Sequence, residues 1–377
     1  MEYDLAGLSR HPDVEASNLH ASDAADRLLL DEAAAVLAAA RPGEVAVVGD
    51  AYGALTLGAA ARHGLTGIRT FQDPLSGELA LAANAARFGL EDAYASHALD
   101  AQLLAGARIV LLRLPRSLDA LDELGEAIGR WAAPEVRVFA GGMVKHMTPT
   151  MNDVLRRHVR RLDVTHARQK ARVLVASDPL PPRDPVWPRT RVDPGTGLVV
   201  VAHGAAFAGP AIDIGTRALL AHLDEAPTAD RAIDLGCGTG VLAVELARRR
   251  PGMPVLATDQ SAAAVASARA TVAANGVADQ VEVVRDDALS AQPGARAGLI
   301  VLNPPFHIGA TVHSGIAHKL FADAGRVLAP GGELWAVWNS HLRHRAALER
   351  YVGPTRQIAR DRTFTVTASR RGWAQHP

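Results

Sequence analysis

Short apolar runs alternate with longer helical patterns through most of the chain. Val45 to Val48 predicts a strand, and Ile68 to Phe71, Ile109 to Leu114 and Val136 to Ala140 repeat the signal. Ala- and Leu-rich helical stretches precede and separate them. One runs from Ala24 to Ala40 and stops at Arg41-Pro42-Gly43, and another spans Leu79 to Phe88. The second half repeats the scheme. A Leu-rich helix at Arg217 to Leu223 precedes apolar runs at Ala232 to Leu235, Pro254 to Thr258, Val281 to Val284 and Leu299 to Leu302. Strand and helix in strict alternation predict α/β units with parallel, doubly wound sheets.

The halves also align with each other. Gly53-Ala-Leu pairs with Gly240-Val-Leu and Gly89 with Gly276, both 187 residues apart. Leu111-Leu-Arg-Leu-Pro pairs with Val301-Leu-Asn-Pro-Pro at a separation of 190. Between the halves, six prolines from Pro179 to Pro194 favour extended, semi-rigid backbone. The expected organisation is a first domain over 1–178, a linker over 179–197 and a second domain over 198–377.

Composition narrows the class. With 377 residues, 48% hydrophobic and 21% charged, each half can bury its own core. The formal net charge of +0 gives no global attraction to nucleic acid, so any such contact must be local. The best local candidate is the basic segment holding Lys145, Arg156, Arg157, His158, Arg160, Arg161, Arg168, Lys170 and Arg172. It reads as a solvated helix face or an RNA contact. The one cysteine, Cys237, rules out an intramolecular disulfide and a cysteine-rich zinc site, and the 15 histidines show no ligand spacing, so no metal is expected. No membrane span or leader is legible, which predicts a cytoplasmic protein.

The chemistry gathers at strand ends in the second half. Asp234-Leu-Gly-Cys-Gly-Thr-Gly240 runs from a strand into three alternate glycines, which allow close approach of backbone to a ligand at a helix start. Asp259, at the next strand's tip, is placed to accept both hydroxyls of a ribose. A carboxylate at Asp286 or Asp287 can accept from an adenine amino group. The fourth strand ends in Asn303-Pro304-Pro305-Phe306. Asn303 and the Pro304 carbonyl can accept the two protons of an exocyclic amine, Pro305 helps end the strand, and Phe306 offers a stacking face. The glycine spacing departs from the dinucleotide fingerprint. A nucleoside with a short charged tail fits better, which points to S-adenosyl-L-methionine.

These residues resemble the class I S-adenosylmethionine-dependent methyltransferases, and more closely the two-domain bacterial rRNA (guanine-N2-)-methyltransferases. The likeness also covers Asp213-Ile-Gly-Thr216, Asn275-Gly276 and Gly49-Asp50-Ala-Tyr-Gly-Ala-Leu55. Trp338-Asn339-Ser340-His341-Leu342 and Phe364 lean towards the large-subunit enzymes. The resemblance implies two tandem Rossmann-like domains, the first degenerate. It further implies cofactor binding by Thr216, Asp234, Gly236, Gly238, Gly240, Asp259, Gln260, Asp287 and Asn303, with catalysis at Asn303 to Phe306. Ribosomal RNA or a ribosomal subunit is the implied partner, with the protein acting as a monomer. In the first copy Val47 replaces Asp234, Ala51 replaces Gly238 and Arg113 stands in place of Asn303, so that copy is expected to be silent. Three alternatives stay open: adenine N6, a protein glutamine amide, or a non-catalytic ribosome-assembly protein that binds RNA.

Overall fold

The computed structural model describes residues 3–16, 18–304 and 310–372, with side chains of the last stretch from residue 315. The chain divides into two compact units, Met1–Trp187 and Pro188–Pro377.

In the first unit, β1 (Val45–Val48), β2 (Ile68–Phe71), β3 (Tyr94–Ser96), β4 (Ile109–Arg113) and β5 (Arg137–Met143) form parallel pairs. With β6 (Val159–Val164) and β7 (Ala171–Pro179) they make a seven-stranded sheet of order 3-2-1-4-5-7-6. The helices are α1 (Ala24–Leu37), α2 (Ala54–His63), α3 (Leu75–Phe88), α4 (Ala101–Leu104), α5 (Leu118–Trp131) and α6 (Pro149–Leu155). Side chains of β1 alternate between two cores. Val45 and Val47 pack with Leu29 of α1 and Leu55 of α2, while Ala46 and Val48 pack with Leu121 and Ile128 of α5. A sheet covered on both faces explains the continuous apolar runs.

The second unit repeats this plan. A hairpin of β8 (Arg189–Val192) and β9 (Val199–Ala202) comes first. Then follow β10 (Ala232–Leu235), β11 (Val255–Asp259), β12 (Val281–Arg285), β13 (Ala297–Leu302), β14 (Leu328–Asn339), β15 (Thr355–Arg360) and β16 (Phe364–Arg370). Their order, 12-11-10-13-14-16-15, is that of the first sheet. The helices are α7 (Ile214–Leu220), α8 (Val241–Arg249), α9 (Ala262–Ala274), α10 (Ala310–Val327) and α11 (Arg345–Tyr351). A shift of 187 residues carries Val45–Val48 onto Ala232–Leu235 and the start of α2 onto the start of α8.

Two expectations need correction. The sheets are mixed, because β7 and β16 run antiparallel to both their neighbours. Each is joined to its edge strand by a short turn, which permits no other direction. The basic segment is not a helix face: α6 ends at Leu155, and Arg160 and Arg161 lie on the exposed edge strand β6. Charged side chains on an edge oppose pairing with another chain. The division between the units, after Trp187, falls inside the proline-rich stretch. Val186 donates its N–H to Glu126 of α5 (2.8 Å) and Trp187 Nε1 donates to Asp122 (3.2 Å), whereas Arg189 already belongs to the hairpin of the second unit.

The hairpin is tied to α9 by side chains one helical turn apart. Ser267 Oγ, Thr271 Oγ1 and Asn275 Oδ1 accept the backbone N–H groups of His203, Val201 and Val199 at 2.9–3.1 Å. Thr271 and Asn275 also donate to the Val201 and Val199 carbonyls, at 3.2 and 2.7 Å. A helix face thus substitutes for a neighbouring strand and satisfies the edge of β9.

Candidate active site

Parallel strands open their carboxyl ends to one side of the sheet, and the predicted residues of the second unit collect there. Asp234 occupies a core-facing position of β10, on the same face as Ala232, and is fully buried. Its Oδ2 accepts the Ala243 N–H of α8 at 2.9 Å, while Oδ1 has no partner among the described residues. Burial lifts its carboxyl to about 7 against the lowering effect of the Ala243 N–H, and nearby Asp259 adds to the rise.

The glycine loop follows. Gly236 and Gly238 have φ of 70° and 53°, and a Cβ built on either meets nothing within 4 Å among the described residues. The loop therefore leaves open space beside its backbone. Gly240 (φ 80°) has a different task, since a Cβ there would come within 3.1 Å of the Ala268 backbone on α9. At the tip of β11, Asp259 Oδ2 accepts the Gly238 N–H at 3.0 Å and Oδ1 accepts Ser261 N–H at 2.9 Å. Gln260 is next to it, half-buried, and its carbonyl accepts from Arg285 Nε at 3.2 Å. After β12 the two acids separate in role. Asp286 caps its own turn through Ser290 Oγ (2.8 Å) and the Ala291 N–H (3.2 Å). Asp287, itself buried, forms an ion pair with the partly exposed Lys319 of α10. Lys319 carries no motif in the sequence and was not anticipated.

Asn303 continues the Leu299–Val301 face of β13 towards the start of α7. Its Nδ2 donates to Asp213 Oδ2 and to Thr216 Oγ1, both at 3.0 Å. The other end of the amide, Oδ1, is buried with no partner among the described residues. Thr216, expected as a cofactor contact, is thus brought to Asn303. Pro304 is buried beside it, and the expectations for Pro305 and Phe306 lie outside the described residues. Among the described residues no group of three or more His, Cys, Asp or Glu is placed to hold a metal, and no helix is long and apolar enough to cross a membrane.

The corresponding end of the first sheet is filled. Gln72, which a 187-residue shift aligns with Asp259, donates Nε2 to the Asp50 and Ala51 carbonyls. Asp50 accepts the N–H groups of Gly53 (3.1 Å) and Thr56 (2.8 Å). Arg113, in place of Asn303, donates to Asp23 (2.8 Å) and Asp26 (3.0 Å) at the start of α1. A Cβ on Gly49, the partner of Gly236, would meet Arg113 at 3.3 Å.

The basic segment of the first unit is largely internally paired. Arg156 meets Asp153, Arg160 meets Asp178, Arg161 meets Asp163 and Arg168 meets Asp31 and Glu32. Arg116, Lys145 and His146 instead crowd together after β4 and β5. Arg116 Nη2 lies 3.4 Å from His146 Nε2, and partial burial with the Arg116 and Lys145 charges holds that imidazole below its usual range.

Comparison with known proteins gives the same outline. The Methyltransferase small domain family matches residues 197–368, and the RLMG N-terminal domain matches residues 2–179. Ribosomal RNA large subunit methyltransferase G of Pseudomonas paraeruginosa is 35% identical over 365 residues, covering 95% of this chain and 96% of that protein. The chain belongs to the ribosomal RNA large subunit methyltransferase G family. The family member from Streptomyces coelicolor is 36% identical over 370 residues, again with 95% of this chain and 96% of the relative covered. Among solved structures, the T. thermophilus 16S rRNA N2 methyltransferase RsmC, in complex with AdoMet and guanosine, superposes with a TM-score of 0.75. It covers 93% of this chain and 92% of its own at 21% identity, a likeness of fold.

The buried acid in this family member yields a pH prediction. A carboxyl raised from 3.8 to about 7 binds more protons folded than unfolded, so its effect on stability is most favourable below pH 4 and is lost as pH rises towards 7. Asn at 234 keeps an acceptor for the Ala243 N–H without the titration. The stability of the wild type minus that of Asp234→Asn should therefore fall between about pH 4 and pH 7 in denaturant melts. Parallel curves would contradict a buried, titrating Asp234.

Proposed function

We propose that the chain transfers a methyl group from S-adenosylmethionine to the exocyclic N2 of a guanine in large-subunit ribosomal RNA. One observation carries the reading: Asn303 enters the site as an amide whose N–H groups are both engaged and whose oxygen has no described partner. An exocyclic amine presents N–H donors, and this oxygen can accept one of them. The family shown for the chain supplies the RNA class, and the guanosine in the RsmC structure supports the base.

The residues present fit the cofactor. Open space beside Gly236 and Gly238 suits close approach of a ligand to the loop, and Asp259 stands where ribose hydroxyls would be accepted. Asp286 is spent on its own turn, which leaves Asp287 as the acid for adenine. When bound, S-adenosylmethionine supplies a methyl group on a sulfonium leaving centre. The chain's part is orientation and electrostatics. Asn303 Oδ1 accepts one N–H of the amine and the Pro304 carbonyl the other, which favours the pyramidal nitrogen with its lone pair out of the ring plane. The methylated nitrogen would release its extra proton to solvent, so the chain needs no dedicated general base. The first unit, with its strand ends filled, serves as scaffold and RNA-binding platform.

Asn303→Ala should fold normally and lose roughly a hundred- to thousandfold in turnover, the scale of one transition-state hydrogen bond. The assay is methyl transfer to rRNA from a strain lacking the enzyme, with mass mapping of the product. Near-normal turnover, or product at adenine N6, contradicts the reading.

RNA phosphate is held, in this proposal, by Arg116, Lys145 and Lys170; the Lys170 backbone carbonyl accepts the Val144 N–H at 2.8 Å, which sets it beside Lys145. Alanine at those three positions should weaken RNA binding and flatten its dependence on salt. Alanine at Arg156, Arg160 and Arg161, where acids are interspersed, should change the slope far less. The reverse ranking would return the contact to the edge strand.

A further inference from the structure

We propose that Asp213 is the positioning residue that decides which end of the Asn303 amide faces the target, and so selects substrates presenting an N–H. The proposal rests on the reading of Asn303 as the amine's acceptor. A carboxamide is nearly symmetrical in shape but opposite in chemistry at its two ends. With its oxygen outward it receives an exocyclic amine, and with its nitrogen outward it would favour a ring nitrogen or a keto oxygen. Something must choose.

Asp213 Oδ2 accepts three donors: Gly215 N–H (2.9 Å), Thr216 N–H (3.2 Å) and Asn303 Nδ2 (3.0 Å). An ionised carboxylate can only accept, so turning the amide over would set oxygen against oxygen. Thr216 Oγ1 takes the second Nδ2 proton, but a hydroxyl donates as readily as it accepts and enforces no choice. The decision therefore lies with Asp213, on a segment 90 residues earlier in the chain. Gly215 completes the arrangement. A Cβ there would stand 3.0 Å from Asp213 Oδ2, 3.2 Å from Phe364 Cε1 and 3.3 Å from Asn303 Oδ1, crowding the oxygen meant for the amine.

The test is a double-mutant cycle in the full-length protein. Asp213→Ser keeps a hydroxyl to cap α7 but lacks the carboxylate that orients Asn303. It should lower kcat about tenfold or more, with KM for RNA and melting temperature little changed. In the Asn303→Asp background orientation no longer matters, because both oxygens accept, and removing Asp213 also removes a like charge. The double variant Asp213→Ser/Asn303→Asp should therefore turn over faster than Asp213→Ser alone. A double variant no faster than the single, or no loss in the single, overturns the proposal. The outcome is separable from the underlying reading. Normal turnover in Asn303→Ala sinks that reading, whereas an inactive Asn303→Ala with no rescue in the double sinks only the role of Asp213.

Discussion

A carboxylate holding a carboxamide by its nitrogen is the contact on which the site depends. Asp213 caps α7 and grips Asn303 with the same oxygen, so the start of that helix and the end of β13 are fixed together. The rest of the second unit supplies the frame. Strand β13 is buried on both faces, which leaves its terminal side chain little freedom, and β10 and β11 bring the glycine loop and Asp259 to the same side of the sheet. The hairpin bound along α9 by Ser267, Thr271 and Asn275 leads into the segment that carries Asp213. Preorganisation of this kind orients the polar groups before any base arrives.

The two units show how a fold outlives a site. Both keep the sheet order and the strand-to-helix turn, because these follow from apolar patterning and glycine at the turns. What differs is a handful of polar side chains at the strand ends. In the second unit the glycine loop presents an N–H to Asp259 and keeps one side open. In the first, the Asp50 and Ala51 carbonyls are taken by Gln72, and the Asn303 position has become an arginine that pins α1. At both strand tips a donor now stands where the second unit has an acceptor, and it is engaged within the first unit.

The sequence was most informative where burial dictates residue type. Val45–Val48 and the run ending at Leu302 were legible because a strand covered on both faces must be apolar throughout. The acids at strand tips were legible as positions, but their partners were not. Thr216 was expected at the cofactor, and its hydroxyl's contact with Asn303 could not be read from the chain. Lys319 was invisible, since a lysine on a helix is ordinary until the fold sets it against Asp287. Strand β6 was obscured by Arg160 and Arg161, which mark an exposed edge and not a helix. Pairings between segments 90 residues apart, such as Asp213 with Asn303, need the topology before they can be seen.

The orientation of the Asn303 amide can be observed directly in the free protein. In a nitrogen–proton correlation spectrum, the side-chain signals of Asn303, assigned by their disappearance in Asn303→Asp, report both Nδ2 protons. If Asp213 and Thr216 hold them, both protons should exchange slowly with water, and Asp213→Ser should expose one of them. Two rapidly exchanging protons in the wild type would mean that the amide is not held, and the acceptor reading of this site would lose its basis.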